Sequence, residues 1–317
     1  MLQHRQFNFF IFIILLSLVT GFLSISLGSA TISFSQIFTN GMQATDVLLI
    51  KLRLQRTLAA FVSGGLLSLA GAYIQLLLQN PLADPYAMGI SGGAACITLL
   101  ALLLGASETW LLGSAWIGSL ITVLLIFLLA KKHQWQTQTL LLCGIALACL
   151  FTACNSFILL ITPDSTLHSM LFWLSGDLND TEFPWFGLVC LISGGLISWY
   201  LAPGLNILGR GEKEAKSLGL STTRYRIILY LLSSLFTATA VTLAGCIGFI
   251  GLIIPHLTRS FIAYDHRIQL PASILLGGTI LAAADLISRV LFAPLQIPVG
   301  IVMALFGVPI FIWLLHK

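Results

Sequence analysis

The sequence predicts an all-α membrane protein that crosses a bilayer about ten times, and three observations carry that reading. Of its 317 residues, 58% are hydrophobic and only 8% are charged, where a soluble domain carries roughly 25% charged residues. The mean hydropathy is +1.00, and apolar runs of spanning length follow one another along the whole chain. Ten spans of about 20 residues would occupy roughly 200 positions, so a single transmembrane domain over residues 1–317 is expected, without a sizeable soluble domain.

Nine runs are long enough to span: 7–28, 57–78, 88–105, 110–130, 139–162, 184–202, 227–247, 270–288 and 299–315. The first follows His4 and Arg5, is longer than a signal-peptide core and lacks a small-residue cleavage site, so it is expected to be a retained span. A tenth run, from about Gly248 to Tyr264, is interrupted by Pro255, His256 and Arg259, and hydropathy alone does not decide whether it crosses.

Charge placement sets the expected orientation, because cytoplasmic loops carry the excess of Lys and Arg. With ten spans and both termini inside, eleven basic residues fall inside, among them Arg5, Lys131, Lys132, Arg210 and Lys317. Lys51, Arg53, Arg56 and Arg289 fall outside, and moving Arg289 inside in exchange for Lys317 leaves the totals unchanged. The rule therefore orients the first seven spans and leaves the last three open. A weak internal echo supports the broken span: Leu69-Ala70-Gly71 with Pro81 recurs as Leu243-Ala244-Gly245 with Pro255, at an offset of 174. Antiparallel spans related in this way are the pattern of an inverted repeat with interrupted helices.

The net charge of +4 contains no basic run of the kind a nucleic-acid surface needs. Cys96, Cys143, Cys149, Cys154, Cys190 and Cys246 all lie in apolar stretches, without a C-x-x-C pair or a His at ligand spacing, so they read as small buried hydrophobes. No metal site or cofactor is expected. Neither G-x-x-x-x-G-K-[ST] nor H-E-x-x-H occurs, so nucleotide hydrolysis and zinc proteolysis are not expected of this chain.

Two stretches between spans stand out. Gln79-Asn80-Pro81-Leu82-Ala83-Asp84-Pro85 places two prolines between helices, with Asp84 as a helix-start cap, and Gly89-Ile90-Ser91-Gly92-Gly93 opens the third span. Residues Leu208 to Leu220 are the most charged stretch. The acids come early, Lys216 comes late and Gly219 can close the turn, which predicts a short surface helix. Ala215 and Leu218, at i and i+3, form either a knob for a partner's groove or part of a solvated loop.

Five blocks, in order from about residue 50 to the C-terminus, resemble the FecCD permease family: Arg53-Leu54-Gln55-Arg56-Thr57-Leu58-Ala59-Ala60, Asn80 to Pro85 with Gly89-Ile90-Ser91, Glu212 to Gly219, Gly248 to His256, and Ile297-Pro298-Val299-Gly300. Gln55 departs from the proline usual there, which puts the local backbone shape in question. The resemblance implies a ten-span importer permease of the type II fold, in the bacterial plasma (inner) membrane with both termini cytoplasmic. It further implies a dimer with an identical or homologous permease, two cytoplasmic ATPase subunits, an external substrate-binding protein, and a ferric siderophore, haem or cobalamin as cargo. By the same resemblance Gly211, Glu212, Ala215, Leu218 and Gly219, within a segment of about 203–226, couple to the ATPase. Asn80, Leu82, Thr137 and Gln138 lie near a cytoplasmic gate. Arg53, Arg56 and Arg289 match positions that receive acidic residues of the binding protein, a role that bidentate guanidinium geometry suits.

Other readings follow from single residues. Asp285 is the only acid deep in a predicted span, and either pairs with Arg289 at i+4 or serves an ion-coupled secondary transporter. Gly89-Ile90-Ser91-Gly92 with His256 in another span is the minimum an intramembrane serine protease would need, and His256 otherwise caps carbonyls freed by Pro255.

Overall fold

The computed structural model describes residues 2–28, 44–132, 135–179, 182–262 and 265–316. Lys317 and Tyr264 of the sequence argument lie outside the described residues, as does the side chain of Arg5. The described residues are helical, without a strand: α1 (Leu2–Ser26), α2 (Ala44–Leu77), a 3-10 turn (Pro85–Met88), α3 (Ile90–Leu103), α4 (Glu108–Lys132), α5 (Thr137–Ile161), α6 (Asp164–Leu174), α7 (Trp185–Leu208), α8 (Glu212–Ser217), α9 (Thr222–Ala244), α10 (Ile250–Phe261), α11 (His266–Val290) and α12 (Val299–Leu315).

All of the α-helices except α6 and α8 correspond one to one with the ten expected spans. Seven of them are long and apolar enough to cross a membrane by themselves. The other three are α3, α10 and α12, with 14, 12 and 17 residues. At about 1.5 Å per residue α10 reaches roughly 18 Å, short of a hydrocarbon core of about 30 Å. Non-helical backbone at that depth is tolerated only inside protein; of residues 245–249 before α10, Gly245 and Ile247 are buried and the other three half-buried. They lie beside the turn that precedes α3. Tyr86 Oη accepts the Ile247 N–H at 2.7 Å, and Cys246 Sγ lies 4.0 Å from the Ser91 carbonyl oxygen.

The centre of the bundle is α2, a 34-residue helix with twenty buried residues, packed against α7, α9, α10 and α11. It runs unbroken through Gln55, so the chain has no helix break where the family's proline would sit. Small residues let its neighbours approach: a Cβ on Gly64 would collide with the Gly277 carbonyl of α11, and one on Gly71 with the Gly251 carbonyl of α10. Such glycine crossings are how helices gain contact area in lipid, where the solvent supplies no hydrophobic drive.

The repeat echo fails at residue level. Gly71 is interior to α2, whereas Gly245 caps α9 with φ 67°, and Pro81 lies in a loop while Pro255 lies inside α10. The likeness of the two halves is instead one of arrangement, a long helix followed by a break and a short helix. Helix α6 was not expected; Pro163 as its N-cap followed by Asp164 is the start signal that was available in the sequence. The cysteines are only partly buried: Cys96 and Cys190 are enclosed, Cys143, Cys154 and Cys246 are half-buried, and Cys149 is exposed on α5.

Candidate functional site

The segment Leu208 to Leu220 forms the expected short helix. Gly211 leads into α8 with φ 115°, a value that favours glycine. At the other end Gly219, with φ 80°, closes a Schellman turn: the Leu220 N–H donates to the Ala215 carbonyl at 2.9 Å and the Gly219 N–H to the Lys216 carbonyl at 3.0 Å. Glu212 pairs with Lys216 at 2.8 Å and with Arg226 of α9 at 2.5 Å. The hydrogen bond from Lys216 first, and the charge of Arg226 after it, hold the Glu212 carboxyl below its usual range.

The expected shared face of Ala215 and Leu218 is corrected. Ala215 is fully enclosed in the chain's own core, whereas Leu218 is 59% exposed. Leu218 keeps the helical bond of its N–H to the Glu214 carbonyl at 3.1 Å, but as the C-cap after Ser217 it sits at the end of the helix, beyond the residue that packs on the bundle. Leu218 is therefore the apolar side chain α8 offers to solvent, and Ala215 seats the helix on the bundle.

At the same end of the bundle, the loop after α2 is built as a chain of turns. Asn80 Oδ1 accepts the Leu82 N–H at 2.9 Å, and Asp84 caps the 3-10 turn by accepting the Tyr86 N–H at 3.0 Å, as its position predicted. Gly89, with φ 72°, then starts α3. Asn80 and Leu82 are exposed, while Ala83 packs in one cluster with Trp135, Leu140 and Tyr230. Thr137 is the first residue of α5 and Gln138 is exposed beside it. The Asn80 loop and the start of α5 thus meet through Ala83 and Leu140. Arg226 bridges to α8, since its second guanidinium nitrogen donates to the Trp135 carbonyl at 3.4 Å.

The three arginines converge at the opposite end, where their guanidinium groups turn inward. Asp285, fully buried in α11, accepts Arg56 Nε at 2.7 Å and lies 3.0 Å from Arg289 Nε. Arg56 also donates to Asn179 and, at 2.8 Å, to Gln296. Arg289 donates to Ser24 Oγ at 2.5 Å, and Arg53 to the Ile25 and Ser26 carbonyls at 3.1 and 2.9 Å. Arg53, Arg56 and Arg289 are 7%, 9% and 4% exposed. Pairing of Asp285 with Arg289 was expected; Arg56 as a second partner was not, since 229 residues separate it from Asp285. The ensemble joins α1, α2, α11 and two loops around one carboxylate.

His256 and Ser91, the protease pair, are not joined by a hydrogen bond among the described residues. Ser91 is buried at the start of α3, and His256 lines a polar cavity with Gln75 and Arg259. No group of three or more His, Cys, Asp or Glu suited to a metal ion occurs among the described residues.

The outer surface is not uniform. Exposed side chains of α7 are large and apolar, including Val189, Ile192, Leu196 and Trp199. The exposed side of α5 also carries Ala146, Cys149, Thr152, Ala153 and Ser156.

Comparison with known proteins agrees with this architecture. The FecCD transport family matches residues 14–317. The vitamin B12 import system permease protein BtuC of Salmonella arizonae is 34% identical over 319 residues, which is 99% of this chain and 96% of that protein. A Methanocaldococcus jannaschii protein described as an ABC transporter permease is 38% identical over 293 residues, covering 87% and 84% of the two chains. A solved structure described as a metal-chelate type ABC transporter in an inward-facing conformation superposes with a TM-score of 0.87 at 33% identity, over 96% of this chain and 97% of that one. The chain belongs to the FecCD transport family.

Proposed function

We propose that this permease of an ABC importer carries an iron-siderophore or related metal chelate, such as haem or cobalamin, across the bacterial inner membrane into the cytoplasm. The observation that carries this reading is the 0.87 TM-score, over nearly the full length of both chains, to a transporter described as of the metal-chelate type. The ATPase is on other chains. Leu218 at the end of α8 and the Glu212–Lys216 pair meet it, and Arg226, bonded to Glu212 and to the Trp135 carbonyl, passes displacement of α8 towards the start of α5. In this reading Thr137, Gln138, Asn80 and Leu82 form the cytoplasmic gate. The termini lie on that same cytoplasmic side.

A second permease copy or homologue packs against the part of α5 that carries small and hydroxyl side chains, and the pathway runs between the two. Residues such as Cys149, Thr152 and Ser156 suit a wetted route better than lipid. At the external end Arg56 and Arg289 share one internal carboxylate while Arg53 bonds backbone carbonyls, so the cluster keeps net positive charge. Its field attracts an acidic face of a substrate-binding protein even though the guanidinium groups are buried.

Co-purification from native membranes, followed by uptake of ferric siderophore, haem or cobalamin into proteoliposomes, tests this reading. ATP-dependent uptake by a complex containing an ATPase subunit is the expected result. Uptake that needs no ATPase and collapses with a protonophore would instead establish an ion-coupled transporter. For the external end, charge reversal of Arg53 is expected to weaken capture of the loaded binding protein. The wild-type interaction should itself weaken as salt rises.

A further inference from the structure

A polar cavity of about 430 Å³ lies where the C-terminal end of α2, the end of α7, α10 and the start of α11 meet. Its polar lining includes Gln75, Gln79, His256, Arg259, His266 and Gln269, and no carboxylate lines it among the described residues. In a chain with 8% charged residues such a concentration of polar groups between helices calls for a ligand.

The donors and acceptors define its chemistry. Gln75, 2% exposed, donates through Nε2 to the Gly251 and Leu252 carbonyls at 3.2 and 3.0 Å, and its oxygen accepts from Arg259 Nη2. This amide fixes the guanidinium of Arg259 from α2, which makes it a prepared cation at the cavity wall. His266 Nδ1 lies 2.6 Å from Asn206 Oδ1, an acceptor, so Nδ1 is the donor and a neutral ring keeps Nε2 as an acceptor. Gln269 is 1% exposed and its Oε1 has no hydrogen-bond partner. A buried amide oxygen without a donor is costly. The cavity therefore offers one fixed cation with Gln269 Oε1 and His266 Nε2 among its acceptors, a set that bare phosphate, rich in acceptors, does not complete.

We propose that this cavity binds a phosphoglycerol group, with phosphate on Arg259 and glycerol hydroxyls donating to Gln269 Oε1 and His266 Nε2. The group can come from the head of phosphatidylglycerol or from free glycerol phosphate. Its place at the end of the bundle is the level of lipid head groups, where basic pockets between spanning helices recruit anionic lipids. The inference is independent of the transported cargo.

The purified permease, in nanodiscs of phosphatidylcholine alone or with phosphatidylglycerol, tests it by thermal unfolding and by native mass spectrometry of retained lipid. A third sample of phosphatidylcholine discs receives sn-glycerol 3-phosphate, and a fourth inorganic phosphate. Stabilisation and retention with phosphatidylglycerol identify the lipid as the source; stabilisation by glycerol phosphate identifies the soluble source. Inorganic phosphate is expected to act more weakly than either. Arg259→Gln should weaken the effect about tenfold or more, as loss of a charged hydrogen-bond donor does. Gln269→Leu keeps the cation and removes the orphaned acceptor. It should narrow the preference for phosphoglycerol over inorganic phosphate, and it serves if the arginine variant does not fold. The proposal is overturned if neither phosphoglycerol source stabilises the wild type, if both variants respond as the wild type does, or if only an acidic segment of a co-purified subunit occupies the cavity.

Discussion

Tyr86 Oη accepts the backbone N–H of Ile247 at 2.7 Å, which ties the interruption before α3 to the interruption before α10. The bond satisfies a backbone donor in the non-helical segment between α9 and α10. Tyr86→Phe keeps the ring and deletes the acceptor, and is expected to destabilise the protein by about 1–3 kcal/mol, the usual cost of an orphaned buried donor. A detergent-solubilised variant with an unchanged unfolding midpoint would show that the two breaks are held by packing alone.

Asp285 holds two arginines, so its removal strands charge on both. Asp285→Ala should cost about 3–5 kcal/mol, whereas Arg289→Leu, which leaves Asp285 still paired with Arg56, should cost less. Comparing the two midpoints checks the shared-carboxylate geometry. If proton coupling were the function of Asp285, Asp285→Asn would abolish uptake without lowering stability.

Leu218 and Ala215 separate the two sides of α8. Leu218→Asp alters a 59% exposed side chain and is expected to reduce ATPase association while the permease stays monodisperse. Ala215→Leu forces volume into a site with no free space and should lower the unfolding midpoint before any partner is added. The opposite pattern would place the contact surface on the other face.

Asp265 caps α11 by accepting the Arg267 N–H at 3.0 Å and also accepts from Asn206 at 2.9 Å. The Asn206 bond first, then the backbone bond, hold its carboxyl below the ordinary value of 3.8. With the folded value depressed, the ionised cap contributes fully above pH 3.8 and its contribution disappears as pH falls through the folded value. Asp265→Ala should cost about 1 kcal/mol at neutral pH. Asp265→Asn keeps a cap that does not titrate, so the stability gap between wild type and this variant should be flat from pH 8 to 5 and move against the wild type only in stronger acid.

Nine of the ten spans, the short helix closed by Gly219, the cap at Asp84 and the pairing of Asp285 with Arg289 were legible in the sequence. Each depends on neighbours within a few residues or on hydropathy summed over a span. The partner of Asp285 on α2 was not legible, because nothing local links Arg56 to a residue 229 positions away. Helix α6 had a legible start at Pro163 and Asp164 but lay between stronger apolar runs.

By itself the sequence determined that the chain must live in a bilayer, nine of its apolar spans and which loops carry charge, since these follow from the cost of exposing apolar surface to water and polar backbone to lipid. Only the tertiary structure decided that Ala215 faces inward, that Arg56 and Arg289 close around one carboxylate, and that Arg259, His266 and Gln269 share a cavity. Those outcomes depend on which helices pack together, and that is set by close approaches such as Gly64 against Gly277, contacts between residues far apart in the chain.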